Sequence, residues 1–254
     1  MEILLLFGAG LLAGAVNSLA GGGSFVLFPA LLLAGVPPIA ANATNTFASL
    51  PGYATGALAF GKDIMQFRDK LIPYSIAAAV GGYLGAELLL QVSDAQFAKV
   101  VPWLIGLAVF MFAIGGNINQ WLSTYSAGSK KMAFGVVAGL FVLLVLVNLY
   151  GGFFNGGHGI LLLAFFALAG LTNIHAMNGF KLVLSVIVAS IAVTRFAIAG
   201  SIAWYEGSFA FAGTLIGGFI SARLAYRIPT NVIRNAVVIY GVFLTAIFFW
   251  KTYF

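Results

Sequence analysis

The stretch Asn17-Ser18-Leu19-Ala20-Gly21-Gly22-Gly23-Ser24, followed by the eleven apolar residues 25–35, decides how this chain folds. At about 1.5 Å per helical residue, eleven residues reach about 16 Å, half of a hydrocarbon core about 30 Å thick. The segment is too short to span. Three consecutive glycines interrupt a helix and let backbones approach closely, so residues 3–20 and 25–35 are expected to form a hairpin whose Gly-rich tip lies inside a bilayer. A second tip reads Asn155-Gly156-Gly157-His158-Gly159, between apolar segments at about 131–150 and 160–171.

That lipid is the solvent follows from composition. Of 254 residues, 62% are apolar and 7% are charged, with 12 Lys and Arg against 6 Asp and Glu. A soluble domain carries roughly a quarter charged residues. Disorder pairs high charge with low hydrophobicity, the reverse of this chain, and a membrane barrel would show short alternating strands. The expected class is all-α, a polytopic helical membrane protein. The formal net charge of +6 is read as orientation in a bilayer, with no nucleic-acid partner. The absence of Cys excludes disulfides and thiolate metal sites. Glu2 is the only ionisable side chain in the first twenty residues, so the basic flank of a signal peptide is missing and the segment reads as a mature helix.

Further apolar segments lie at about 38–60, 71–91, 98–117, 174–203, 206–226 and 231–250. Sliding the sequence by 135 positions places Gly21, Gly22, Leu27, Leu33, Ala34, Gly35 and Ala41 on Gly156, Gly157, Leu162, Leu168, Ala169, Gly170 and Ala176. Gly82 falls on Gly217 without a gap. The chain therefore reads as a first membrane repeat at 1–119, a linker at 120–135 and a second repeat at 136–254.

Charge placement fixes the relative orientation. If each unit opens with a hairpin and then crosses three times, one side receives Lys62, Arg68, Lys70, Lys130, Lys131, Arg223, Arg227 and Arg234, and the other Lys99 and Lys251. Basic loops favour the cytoplasmic side, so the repeats are inverted, with both termini outside a cell (inner) membrane crossed many times. Two short full crossings would give the same parity; only length argues for the hairpin.

Broken backbone at membrane depth survives only when buried in protein or lining a watery cavity. The tips are therefore candidate binding elements: Asn17, Gly21, Gly22, Gly23 and Ser24 in the first, Asn155, Gly156, Gly157 and His158 in the second. Helix N-termini following them attract anions. Segment 174–203 adds two cations, Lys181 and Arg195, fourteen residues apart and about 40° apart around a helix; intramembrane cations face a cavity or a partner. Thr46 matches Lys181 under the 135-residue shift and lies beside Asn42 and Asn45, short side chains that donate and accept in an apolar helix. Two isolated histidines, His158 and His175, make no metal set. No nucleophile–base pair marks a catalytic residue, and no cofactor motif is present.

The run from Ala13 to Ser24, continued by Phe28-Pro29-Ala30-Leu31-Leu32-Leu33-Ala34-Gly35-Val36-Pro37-Pro38, with its partial echo in the second half, resembles the TauE/SafE sulfite exporter family. The similarity covers nearly the whole chain and is sharpest at 14–46; His158 after Gly156-Gly157 departs from the usual Gly-Gly-Gly. The resemblance implies a membrane transporter of sulfite, a sulfonate or a related small organic anion. Expected partners are a small anionic substrate and the lipid bilayer, with a homo-oligomer left open. Export by alternating access around a midplane site is the expected activity. The other classes weighed are a carrier of a cation or neutral metabolite, which would want buried acids, and a membrane enzyme or assembly factor, which would want a catalytic cluster.

Overall fold

The computed structural model describes residues 2–19, 21–65, 68–125, 134–224 and 230–254; the centre of the expected linker lies outside these residues. Among the described residues there are eleven helices and no strand. They are α1 (Glu2–Leu19), α2 (Ser24–Leu33), α3 (Pro38–Ala59), α4 (Gly61–Met65), α5 (Arg68–Leu90), α6 (Asp94–Tyr125), α7 (Phe134–Phe153), α8 (His158–Leu168), α9 (Ile174–Ile198), α10 (Trp204–Leu224) and α11 (Thr230–Tyr253). Stretches in four of these, Arg68–Leu90, Asp94–Met111, Gly135–Phe153 and Ile174–Ile198, are long and apolar enough to cross a membrane. The chain is a polytopic helical membrane protein.

Boundaries depart from hydropathy where hydrogen bonding, not apolarity, decides. The polar run Asn117-Ile118-Asn119-Gln120 ends the apolar segment at 117, yet α6 continues to Tyr125, since those residues hold no helix breaker. The short α4 was not expected from the sequence at all. Segment 174–203 stops early, at Ile198, because Gly200 turns left-handed at φ 67°.

Both short helices are real, and both end the same way. Gly35 closes α2 and Gly170 closes α8 at φ 81° and 82°, a backbone region open to glycine without a side-chain penalty. The amide of Val36 then donates to the Leu31 carbonyl, and that of Leu171 to Phe166, the same bond 135 residues on. The tips before them differ. The left-handed residue is Gly21 in the first and Gly157 in the second, positions that the 135-residue shift does not superpose.

Helices pack in the order α1, α10, α3, α9, α5, α7, and α6 packs on α11 and α8. With 135 added or subtracted, that order reads the same from either end. Lipid gives helices no hydrophobic drive to associate, so close van der Waals approach through small residues must supply it. A Cβ on Gly10 or Gly14 of α1 would meet main-chain atoms of Ala210 or Thr214, and one on Gly213 or Gly217 of α10 would meet Phe7 or Leu11. The α5–α7 seam repeats the device, with Gly81 against Val145, Gly85 against Leu149 and Gly152 against Gly82. Aromatic rings lock the short helices from behind. Phe28 of α2 packs against Phe97, Phe154 and Phe248, and Phe165 and Phe166 of α8 against Tyr74.

Gly217→Leu must push α1 away from α10, an overpacking cost of about 1–3 kcal/mol or more. We expect a clearly lower melting temperature and loss of monodisperse elution in detergent. Gly139→Leu, at an open position on α7, is expected to leave both unchanged.

Candidate functional site

A polar stripe runs down one face of α3. Asn42, Asn45, Ser49 and Tyr53 follow one another at helical spacing and are all buried. The Asn42 amide donates to the Phe153 carbonyl at 3.0 Å, at the end of α7. Asn45 donates to the Ser24 hydroxyl at 3.1 Å, at the start of α2. The Tyr53 hydroxyl donates to the Asn155 side-chain carbonyl at 3.1 Å, with Ser49 and Ser24 beside it. One helix thus touches both tips. Thr46, in contrast, turns its hydroxyl back onto the Asn42 carbonyl, a bond within its own helix.

The tips also touch each other. A Cβ on Gly159 would stand 3.2 Å from the Gly21 Cα and 3.1 Å from the Lys181 side chain, a tight fit that the neighbours would have to yield to. Asn17 closes the first tip by accepting from the Gly23 amide at 2.7 Å. The helix-start amides expected to be free are largely folded inward. Phe25 and Val26 donate to the carbonyls of Gly22 and Gly23, and His158 and Ile160 to those of Asn155 and Gly157. What faces the interior is therefore mainly side-chain chemistry.

Lys181 is 1% exposed. Its ammonium donates to the Asn17 main-chain carbonyl at 3.3 Å and to the Asn178 side-chain carbonyl at 3.0 Å. Several buried groups on α1, α3 and the second tip have no partner: the amide nitrogens of Asn17 and Asn155, the Ser49 hydroxyl and the side-chain carbonyls of Asn42 and Asn45. Buried polar atoms are nearly always paired in proteins, so this concentration marks a place where a ligand or water completes the bonding.

His158 sits at the edge of the cluster. Its Nε2 lies 3.2 Å from the Asn148 carbonyl oxygen. The Asn148 amide is committed to the Leu144 carbonyl, so the network assigns the ring proton to Nε2 and leaves Nδ1 as an unpartnered acceptor.

Arg195 is not gathered with these residues. Fourteen positions from Lys181 on α9, it stands about 21 Å along the axis, ion-paired with Glu87 of α5 and near the Tyr83 ring face, 5.9 Å from its centroid. Both members of the pair are about a quarter exposed, at 28% and 27%. The two cations share a helix face in angle, but their separation along the axis keeps them apart. Ser49, Tyr53 and Asn148 were missed by the sequence reading; extending the Asn42–Asn45 face by one and two turns would have found the first two.

With this geometry in hand, comparison with known proteins is informative. Residues 6–248 match the family described as Sulfite exporter TauE/SafE. A probable membrane transporter protein of Haemophilus influenzae is 31% identical, the alignment covering 96% of this chain and 93% of the relative. A probable membrane transporter protein of Sinorhizobium, ORF9, is 26% identical over 95% and 90% of the two chains. The probable membrane transporter protein YfcA of Escherichia coli K12 is 27% identical over 95% and 87%. No solved structure matches. The chain belongs to the TauE/SafE family and is a membrane transporter.

The ion pair ties α5 to α9 beside the candidate site rather than within it. Glu87→Gln and Arg195→Gln are each expected to lower the melting temperature in detergent by several degrees. The swapped double variant, Glu87→Arg with Arg195→Glu, is expected to recover most of the loss. Additive losses in the double variant would show that the two side chains act independently.

Proposed function

We propose that this member of the TauE/SafE family exports a small anion, such as sulfite, a sulfonate or a related organic anion, by alternating access around Lys181. The observation that carries the reading is the environment of that residue: a buried cation held only by two carbonyl oxygens, with no acid beside it among the described residues. A charge in a low-dielectric interior is costly until it is paired. Two carbonyl dipoles offset part of that cost, and a bound anion offsets the rest. The unpartnered amide groups of Asn17 and Asn155 and the Ser49 hydroxyl supply neutral donors for the remaining oxygens. Asn42, Asn45 and Ser24 shape the wall, and the glycines of both tips let the backbones close in on it.

The packing order that reads the same from both ends supports two repeats, 1–119 and 136–254, in opposite orientation. With both termini outside, the charge count assigns eight basic residues to the cytoplasmic side, Lys130, Lys131 and Arg227 of them outside the described residues, where they attract the anion before it binds. Outward movement of one negative charge is favoured by an inside-negative potential, at about 2.3 kcal/mol per 100 mV. Export then needs no coupling ion. A cation carrier would want a buried carboxylate, and none lies among the buried polar residues described.

The test is flux of sulfite and of a simple sulfonate in proteoliposomes, with and without an imposed potential. Lys181→Gln is expected to lower flux at least about tenfold, the effect of losing roughly 1.4 kcal/mol of binding. Lys251→Gln is expected to leave it unchanged. Equal flux in both variants would remove the site.

A further inference from the structure

We infer, on the footing of the anion reading above, that the site selects by charge state: it takes singly charged anions and rejects doubly charged ones of similar size. The inference comes from the charge inventory of the buried polar groups. Among the described residues that set contains Asn, Ser, Thr, one His and Lys181, and Lys181 is its only Lys, Arg, Asp or Glu.

Each further source of positive charge is accounted for. Arg195 is neutralised by Glu87 and stands about 21 Å along α9 from Lys181. His158 donates from Nε2 to the Asn148 side-chain carbonyl, and its Nδ1 has no partner. In its neutral form, with its one proton on Nε2, that ring adds no charge to the site. The tip amides that could add partial positive charge are mostly closed onto tip carbonyls. One full positive charge remains.

A monoanion against Lys181 forms a pair that is neutral overall, as a low-dielectric interior requires. A dianion leaves one full negative charge in the bilayer interior, solvated only by amide and hydroxyl dipoles and with no water shell. The contact geometry favours the same occupant. Two of the three ammonium protons are held by Asn17 and Asn178, so the cation offers one direct bond to one oxygen. The amides of Asn17 and Asn155 and the Ser49 hydroxyl can take the other oxygens without adding charge. A head group whose single charge is spread over three equivalent oxygens, as in a sulfonate, fits that donor set. A sulfate-type dianion does not.

The experiment uses the purified full chain in proteoliposomes and two probes that keep their charge throughout the neutral pH range, methanesulfonate and sulfate. Each is measured by direct flux. The expected result is methanesulfonate flux roughly 100-fold faster than sulfate flux, the factor to which one uncompensated intramembrane charge corresponds. Lys181→Gln, checked for wild-type elution in detergent, should bring methanesulfonate down toward the sulfate rate. Comparable rates for the two probes in the wild-type protein overturn charge selection and leave anion transport standing. Protein-dependent flux of neither probe overturns the reading of a sulfur oxyanion site, and the selectivity with it. The wild-type comparison decides both points even if the variant does not fold.

Discussion

A lysine ammonium at membrane depth must find its partners inside the protein, and the arrangement of the centre of this molecule follows from that demand. Lys181 reaches the carbonyl of Asn17 at the end of α1 and lays its aliphatic stem against Gly159 at the start of α8. Both contacts need backbone that is not covered by side chains. A continuous α1–α2 helix would bury the Asn17 carbonyl in its own hydrogen-bond ladder; the break at Gly21 leaves it free to accept from another element. The glycine tips are thus conditions for burying the cation, beyond their role in letting helices turn.

The two halves contribute unequally to the site. On α3, residues 42, 45, 49 and 53 are Asn, Asn, Ser and Tyr; their counterparts on α9, 135 residues on, are Met177, Phe180, Leu184 and Val188. At the next position the inequality reverses, Thr46 facing its own helix while Lys181 carries the charge. In the proposed reading, α3 supplies neutral donors and acceptors and α9 supplies the cation. In that reading one anion is held once, at the junction, where two equivalent cations would have repelled each other across a low-dielectric gap.

Much of this was legible in the sequence because it rests on periodicity and length. An eleven-residue apolar run after three glycines cannot span, and α2 and α8 are short helices ending at glycines that the 135-residue shift superposes. The polar character of Asn42 and Asn45 in an apolar helix was equally plain. What sequence did not disclose is which side chains meet across elements. Arg195 and Lys181 share a helix face by arithmetic, yet only packing of α5 on α9 brings Glu87 to Arg195 and removes it from the site. Similarly, anion-attracting amides were inferred from helix starts alone, whereas the tip carbonyls take most of those protons through turns whose bonding depends on backbone angles. Tyr53 escaped notice because an aromatic residue in an apolar helix carries no signal until its hydroxyl is seen against Asn155.

The same contacts connect occupancy with motion in the proposed reading. The α1–α10 and α5–α7 seams are backbone against backbone, and α3 meets α10 as closely where Gly218 faces Gly52. Between these pairs stand α3 and α9, and the bonds that tie them to their neighbours include Asn42 to Phe153, Asn45 to Ser24, Tyr53 to Asn155, Thr214 to Ala48, Arg195 to Glu87 and Lys181 to Asn17. In that reading an anion that takes the third ammonium proton draws the Lys181 charge toward itself and weakens the bond to the Asn17 carbonyl that holds α9 on the first hairpin. A ligand can shift a conformational balance only by bonding differently in the two states, and the Lys181–Asn17 bond is one that the ligand's charge bears on directly.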